Sequence, residues 1–124
     1  MRRFQGIAWL LFTSGCVALL SAPVGAESNA LNIKTGADLE RICTSASEQD
    51  HKDCGAFVYT EVTVTAMMLE YRKSCVSYDP PKDISVDAAA KIVIDWLRNH
   101  RGQGDVQAGA VVDAAMKDTF PCKK

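Results

Sequence analysis

Residues 56–65 read AFVYTEVTVT, and the conformation of this stretch decides the fold of the chain. Its β-branched and aromatic residues favour a β-strand by propensity alone. Helix formers, however, fill the continuation AMMLEYRK at residues 66–73, and no turn signal separates the two stretches. A helix would place a largely apolar set on one face and a second apolar set beside it. The first set is Phe57, Glu61, Val64, Met68 and Tyr71, and the second is Cys54, Val58, Val62 and Leu69. We therefore predict one long helix over residues 52–74.

A shorter helix is predicted upstream of this segment. Thr35 and Asp38 have the spacing of a capping box, although Asp38 replaces the usual Glu or Gln. The helix is expected over residues 36–45, and a polar connection over residues 45–51 leads to the long helix. Its buried face would consist of Leu39, Ile42 and Cys43.

Two further helices are predicted downstream. Asp79-Pro80-Pro81 must interrupt any helix. Ser85 then caps a third helix that Gly102 ends, and Asp105 caps a fourth over residues 106–119. The inner faces are expected to be Val86, Ala89, Ala90, Val93, Trp96 and Leu97 in the third helix and Ala108, Val111, Val112, Ala115 and Met116 in the fourth. The predicted fold class is therefore all-α, a small four-helix bundle.

The first 26 residues are typical of a signal peptide. Arg2 and Arg3 precede an apolar run over residues 7–20, and small residues stand at positions 24–26. The run is shorter than the roughly 20 residues of a spanning helix. We expect an exported domain over residues 27–124. Cys16 ends the partial lipobox TSGC, so a lipid anchor there stays a less favoured alternative.

Four cysteines remain after the leader, namely Cys43, Cys54, Cys75 and Cys122. In an oxidising compartment they are expected to form two disulfides. Cys54 and Cys75 would lie at opposite ends of the long helix, roughly 31 Å apart, which excludes their pairing. An up-down bundle favours Cys43–Cys54 and Cys75–Cys122. The alternative is Cys43–Cys75 with Cys54–Cys122.

Composition and motifs argue against catalysis and against nucleic acid binding. Removal of Arg2 and Arg3 with the leader reduces the 14 basic residues to 12, against 15 Asp and Glu, so the mature chain is net acidic. It also has no basic stripe. His51 and His100 lie in predicted connections or helix ends, and the cysteines lack zinc-binding spacing. We predict a protein that binds rather than an enzyme, with no cofactor and no metal.

The order of motifs resembles a known family. The cysteine that ends a short helix is followed by Cys54-x-x-Phe57, a third cysteine before a proline turn, an amphipathic helix ending in Trp96-Leu97, and a terminal Phe120-Pro121-Cys122. This order resembles the Tai family of type VI secretion amidase immunity proteins across nearly the whole mature chain. Arg101 stands where a proline usually ends the third helix of that family.

The resemblance implies a periplasmic protein that occludes the active site of a secreted cysteine amidase, often as a homodimer. It also implies that the link between helices three and four is the inserting loop. That loop consists of Asn99, His100, Arg101, Gly102, Gln103, Gly104 and Asp105. The two glycines permit tight turns, Arg101 and Asp105 could pair with the rim of a cleft, and Arg101 and Gln103 are expected to be exposed.

Two other classes of function stay open. An acid-stress periplasmic chaperone is also a small exported helical protein, but two disulfides would oppose the acid unfolding on which such chaperones depend. An envelope protein with a structural or interaction role is the other alternative.

Overall fold

The computed structural model describes residues 32–124 and confirms the all-α fold. Its four helices are α1 (Gly36–Cys43), α2 (Glu48–Arg72), α3 (Val86–Asn99) and α4 (Ala108–Thr119). Within the described residues, β-pairing is limited to isolated bridges between Thr35 and Gln107 and between Tyr78 and Pro121. No helix in this part of the chain is long and apolar enough to cross a membrane. The predicted signal peptide and Cys16 lie outside the described residues.

The stretch over residues 56–65 is helical, as predicted. Cys54, Val58 and Val62 follow one another at four-residue steps, and none is more than 2% exposed. Burying each valine contributes about 1.5–3 kcal/mol, whereas the helix propensity penalty of a β-branched residue is below about 1 kcal/mol. Thr60 also donates its hydroxyl to the carbonyl of Ala56 at 2.7 Å, so that polar group is satisfied within the helix. Packing therefore overrides propensity here.

Only part of the apolar surface that was expected to be buried in α2 is buried. The second predicted set supplies the core through Cys54, Val58 and Val62, whereas Met68 and Tyr71 of the first set are 40% and 86% exposed. This helix is apolar on both sides, so the hydrophobic period alone could not select a face. The disulfide between Cys54 and Cys43 of α1 determines which face of α2 is buried.

Five predicted helix ends are wrong by a few residues. Two of them are the ends of α2, at Arg72 rather than residue 74, and of α3, at Asn99 rather than directly before Gly102. The side chain of Ser47 accepts a hydrogen bond from the Asp50 amide at 3.4 Å, so α2 begins at Glu48 rather than in the region of residue 52. At the other end of that connection, α1 stops at Cys43 instead of residue 45. The fourth helix begins at Ala108 without a side-chain cap, and Asp105 is not its cap.

Two predicted features of α3 and α4 agree with the structure. Ser85 accepts a hydrogen bond from the Ala88 amide at 3.1 Å and caps α3. Within α3, however, Val86 is 40% exposed and is not the core residue expected, and Ala90 and Trp96 are only partly buried, although both pack against the core. The whole predicted inner face of α4 is buried, namely Ala108, Val111, Val112, Ala115 and Met116.

A core residue that the sequence reasoning missed comes from the segment between α2 and α3. Tyr78 is 1% exposed and is among the largest fully buried side chains. Burial raises the pKa of its phenol, which is hydrogen-bonded to Thr65. The neighbouring Asp79 amide donates to the carbonyl of Phe120 at 2.9 Å. Tyr78 and Asp79 therefore pair with Pro121 and Phe120 through the backbone, so this segment is not a free linker.

The favoured disulfide pairing is confirmed. Cys43 is bonded to Cys54 and Cys75 to Cys122, with Cα–Cα distances of 5.0 and 5.7 Å. Glu61 of α2 lies beside Gly109 of α4. Since the carboxyl ends of these two helices are also joined, α2 and α4 run parallel, as the pairing argument required.

We expect the two disulfides to contribute unequally to stability. The Cys75–Cys122 bond closes a sequence separation of 47 residues and the Cys43–Cys54 bond one of 11. On loop-closure entropy, replacing the first pair by alanine should cost about 4 kcal/mol and replacing the second about 3 kcal/mol. Urea denaturation of both double variants measures the difference. Equal losses, or a larger loss for the shorter loop, would contradict the entropic account.

Candidate functional site

The connection between α3 and α4 begins with an exposed turn. Asn99, the last residue of α3, donates its side-chain amide to the carbonyl of Asp95 at 2.9 Å. His100 and Arg101 follow and are exposed. Gly102 has a φ of +90°, a conformation that favours glycine, and a Cβ there would meet no atom within 4 Å. The chain therefore reverses at Gly102 in open solvent.

The second half of this loop lies against the start of α1. The first amides of a helix have no acceptor within the helix itself. Here the Gly36 amide donates to the carbonyl of Val106 at 2.7 Å, and the Ala37 amide donates to the carbonyl of Gly104 at 3.2 Å. On the other side, the Ala108 amide donates to the carbonyl of Lys34 at 2.9 Å. Because residues 103–107 are used in this way, α4 starts later than Asp105 suggested.

Gly36 permits the close approach of the loop to α1. A Cβ on Gly36 would lie 2.0 Å from the carbonyl oxygen of Gln103, which no real side chain tolerates. Gln103 and Gly104 are consequently half-buried. The expectation that Gln103 is exposed is wrong, because its backbone forms the base of the loop.

A capping box fixes the segment that receives the loop. The carboxylate of Asp38 accepts hydrogen bonds from the Lys34 amide at 3.1 Å and from the Thr35 amide and hydroxyl at 3.0 Å each. The two backbone hydrogen bonds, with the hydroxyl, lower the pKa of the Asp38 carboxyl. The Thr35 hydroxyl in turn accepts from the Asp38 amide at 3.3 Å. Asp38 thereby holds the backbone that pairs with Gln107 and Ala108.

The first half of the loop is supported by an aromatic pair formed by His100, a predicted site residue, and Trp96, which sequence reasoning did not assign to the site. Trp96 and His100 stack with ring centroids 4.0 Å apart and planes 8° from parallel. The Trp96 indole N–H donates to Asp118 of α4 at 2.7 Å. Their i, i+4 spacing was the available signal, since such residues are neighbours on a helix surface. Trp96 thus supports the loop from the side.

The loop presents charge and backbone rather than catalytic groups. Arg101 and Asp105 are exposed, and within the described residues neither forms an ion pair. No group of three or more potential metal ligands occurs in this part of the chain. Of the seven predicted site residues, Asn99, His100, Arg101, Gly102 and Asp105 are exposed, and Gln103 and Gly104 form the base. The arrangement suits recognition of a partner.

A groove between α2 and α3 is less suited to that role. It has a volume of about 310 Å³, and its lining includes His51, Lys91, Asp95 and Arg98. Asp95 already pairs with Lys91 and, at 3.5 Å, with Arg98. The charges there largely satisfy one another.

The comparisons with known proteins give the class. The family model of the Rap1a immunity proteins matches residues 35–122, from the capping threonine of α1 to the last cysteine. The chain belongs to this family of type VI secretion immunity proteins, and the resemblance to a Tai-like immunity protein is confirmed at that level. No curated protein and no solved structure matches the chain. Membership implies a toxin as partner and suggests a non-enzymatic inhibitor, and with the disulfides it is consistent with export.

We expect Gly36→Ala to displace the loop while the bundle remains folded. The new methyl must push away the Gln103 carbonyl, and such overpacking costs typically about 1–3 kcal/mol. Amide hydrogen exchange should accelerate at Gly36 and Ala37, whose acceptors lie in the loop. Gly104→Ala is the matched control, because its Cβ would only touch that of Ala37 at 3.7 Å. Unchanged exchange in Gly36→Ala would show that the loop is not held in this way.

The capping carboxylate should make stability depend on pH. Since folding lowers the pKa of Asp38, its contribution is present above the unfolded value of about 3.9 and is lost as pH falls through the folded value. We expect Asp38→Asn to lower the Tm at pH 7 and to approach the wild-type Tm in strong acid. Asp83→Asn, at an exposed position, is the control. A Tm difference that is constant across this pH range would count against the capping role.

Proposed function

We propose that the protein is a periplasmic immunity protein that inhibits a type VI secreted peptidoglycan amidase by placing the Asn99–Asp105 loop in its active-site cleft. The observation that supports this function most strongly is the loop itself. Its exposed residues, Asn99 to Gly102, stand on a base held by backbone hydrogen bonds to α1. Family membership supplies the toxin as the class of partner.

Inhibition by occlusion requires a loop that is ordered before it binds. Every segment that must be ordered during association lowers the affinity, so a preformed loop binds more tightly than a mobile one. Here the Gly36 and Ala37 amides hold the end of the loop, and the Trp96 contact to Asp118 holds its beginning. Little ordering is left for the moment of binding.

The charges of the loop suit the rim of a cleft. Arg101 and Asp105 lack an ion-pair partner in the described part of the chain, so a toxin could pair with them without breaking an internal contact. Arginine also offers a planar set of donors that matches a carboxylate in two-point geometry. We assign Arg101 the central contact.

The proposal includes the remaining features of the mature protein. A signal peptide over residues 1–26 directs the helical immunity domain over residues 27–124 to the periplasm, where the two disulfides form. The protein acts as a homodimer, without a cofactor and without catalytic activity of its own. The toxin is a cysteine amidase that cleaves peptidoglycan peptides.

The acid-stress chaperone and the unassigned envelope role predict other behaviour. A chaperone would open at pH 2–3, bind an apolar dye and protect client proteins. The covalent links Cys43–Cys54 and Cys75–Cys122 restrain both ends of α2 and oppose such opening. Acid-triggered protection of a client would favour the chaperone class, and the absence of any amidase partner in pull-downs would favour the envelope class.

We expect Arg101→Glu to weaken inhibition of the cognate amidase strongly. Charge reversal at a contact buried in a cleft should cost about 2–5 kcal/mol of binding free energy. The amidase is identified by gene neighbourhood or pull-down, and affinity is measured by calorimetry together with peptidoglycan hydrolysis.

Lys123→Glu is the matched control, since it reverses an exposed charge near the C-terminus. Both variants should keep the wild-type helical content. If Arg101→Glu inhibits as well as the control, Arg101 has no part in the mechanism.

A further inference from the structure

One face of α2 is exposed and almost without charge. Between residues 54 and 69 the only charged side chain is Glu61, which is half-buried beside Gly109. Opposite the buried Val58 and Val62, the helix presents a surface that we call the α2 stripe. The α2 stripe consists of Tyr59, Thr60, Thr63, Val64, Met67 and Tyr71.

The exposure of this stripe needs an explanation beyond the monomer. Val64, Met67 and Tyr71 are 54%, 63% and 86% exposed. The solvent face of a helix ordinarily carries charged residues, and a helix that is apolar all round is ordinarily buried on all sides. A shallow groove of about 300 Å³ lies over the stripe, and one of about 420 Å³ runs beside it towards Pro80. Such grooves beside a helix accept the side-chain ridges of a second helix.

We propose that the α2 stripe is the contact surface between two copies of this chain, with their α2 helices antiparallel. The inference deepens the proposed homodimer by naming its surface, and it rests on that part of the proposed function alone. The toxin-binding loop is a separate surface.

The charges that flank the stripe identify the occupant. Lys52 and Glu70 are exposed and lie at equal distances along the helix on either side of its midpoint near Glu61. Lys52 also pairs with Glu48 of its own chain at 2.8 Å, at the exposed end of α2, and its ammonium has further donors for a second carboxylate. They also lie at the same angle around the helix, since they are five full turns apart. An antiparallel copy therefore places Lys52 of one chain opposite Glu70 of the other, twice in the symmetric pair. The surface is complementary to itself.

The uncharged residues agree with the same register. In the antiparallel pair Tyr59 faces Thr63, so a large side chain meets a small one near the centre of the contact. A parallel pair would instead place Lys52 level with Lys52 and Glu70 level with Glu70, so these residues could form no attractive pair between the copies. The charge pattern selects the antiparallel arrangement.

The first test is the mass of the protein in solution. The protein purified from the periplasm with both disulfides formed should have the mass of a dimer in light scattering after gel filtration. Met67→Lys places a charge in the stripe and should weaken the dimer by at least about tenfold, which is 1.4 kcal/mol. Val76→Lys is the matched control, because Val76 is equally apolar and 59% exposed but lies after α2. Circular dichroism confirms that both variants are folded.

The second test addresses the register. Lys52→Glu and Glu70→Lys should each weaken the dimer, and the double variant should recover it because the pair is restored with its signs exchanged. A zero-length carbodiimide should also join Lys52 to Glu70 in the wild type. Within one chain these residues are about 27 Å apart on a continuous helix, so such a link can form only between two copies.

The outcomes separate this inference from the proposed function. A dimer that Met67→Lys leaves intact, or single charge variants whose effects the double variant does not reverse, overturns the α2 surface and leaves the homodimer standing. A wild type that is monomeric at all concentrations overturns both the surface and the homodimer. Inhibition of the toxin is decided separately, by the Arg101→Glu experiment.

Discussion

The Cys43–Cys54 disulfide fixes which side of α2 faces the rest of the molecule, and the packing of the other helices follows from it. The bond joins the last residue of α1 to the second turn of α2, and both cysteines are buried. With Cys54 turned inward, Val58 and Val62 face the core as well. Gly55 then lies against Val86 of α3, so closely that a Cβ on it would be 2.8 Å from the valine side chain. A rotation of α2 would break all of these contacts together.

The hydrogen bonds that stabilise the start of α1 also position the loop of the candidate site. A helix of only eight residues depends heavily on satisfied termini. Its first amides use the carbonyls of Gly104 and Val106 as acceptors, so capping α1 and positioning the loop are one set of hydrogen bonds. A change that loosens α1 must therefore also loosen the loop.

The parts of this structure that could be predicted from sequence are those set by neighbouring residues. Ser85 and the prolines after Asp79 mark helix boundaries through local geometry, and α3 begins where expected, whereas α4 begins at Ala108, later than predicted. The length of the second helix excluded a Cys54–Cys75 bond, and the expected up-down packing favoured the pairing that the structure has. By contrast, Tyr78 is buried because its segment pairs with residues near Pro121, and no local pattern encodes a contact between such distant residues.

The candidate site likewise has features that could be predicted from neighbouring residues and features that could not. Its location followed from the order of motifs, and the turn at Gly102 followed from the need for a positive φ. The half-burial of Gln103 did not, because it depends on the absence of a side chain at Gly36, far away in the sequence. The rotation of α2 could not be predicted either, since the hydrophobic pattern identifies the buried face of a helix only when the opposite face is polar.

The length of α2 leaves part of its outer face uncovered by the other helices. With 25 residues it extends about 37 Å, whereas α3 and α4, with 14 and 12 residues, extend about 21 and 18 Å. A domain of this size cannot surround such a helix, so the outer face of α2 must be suited either to water or to another protein surface. Charged residues would suit it to water, but those beside this face, Glu48, Lys52 and Glu70, lie towards the two ends of the helix. The composition of this face is therefore the observation on which the proposed contact between two α2 helices rests.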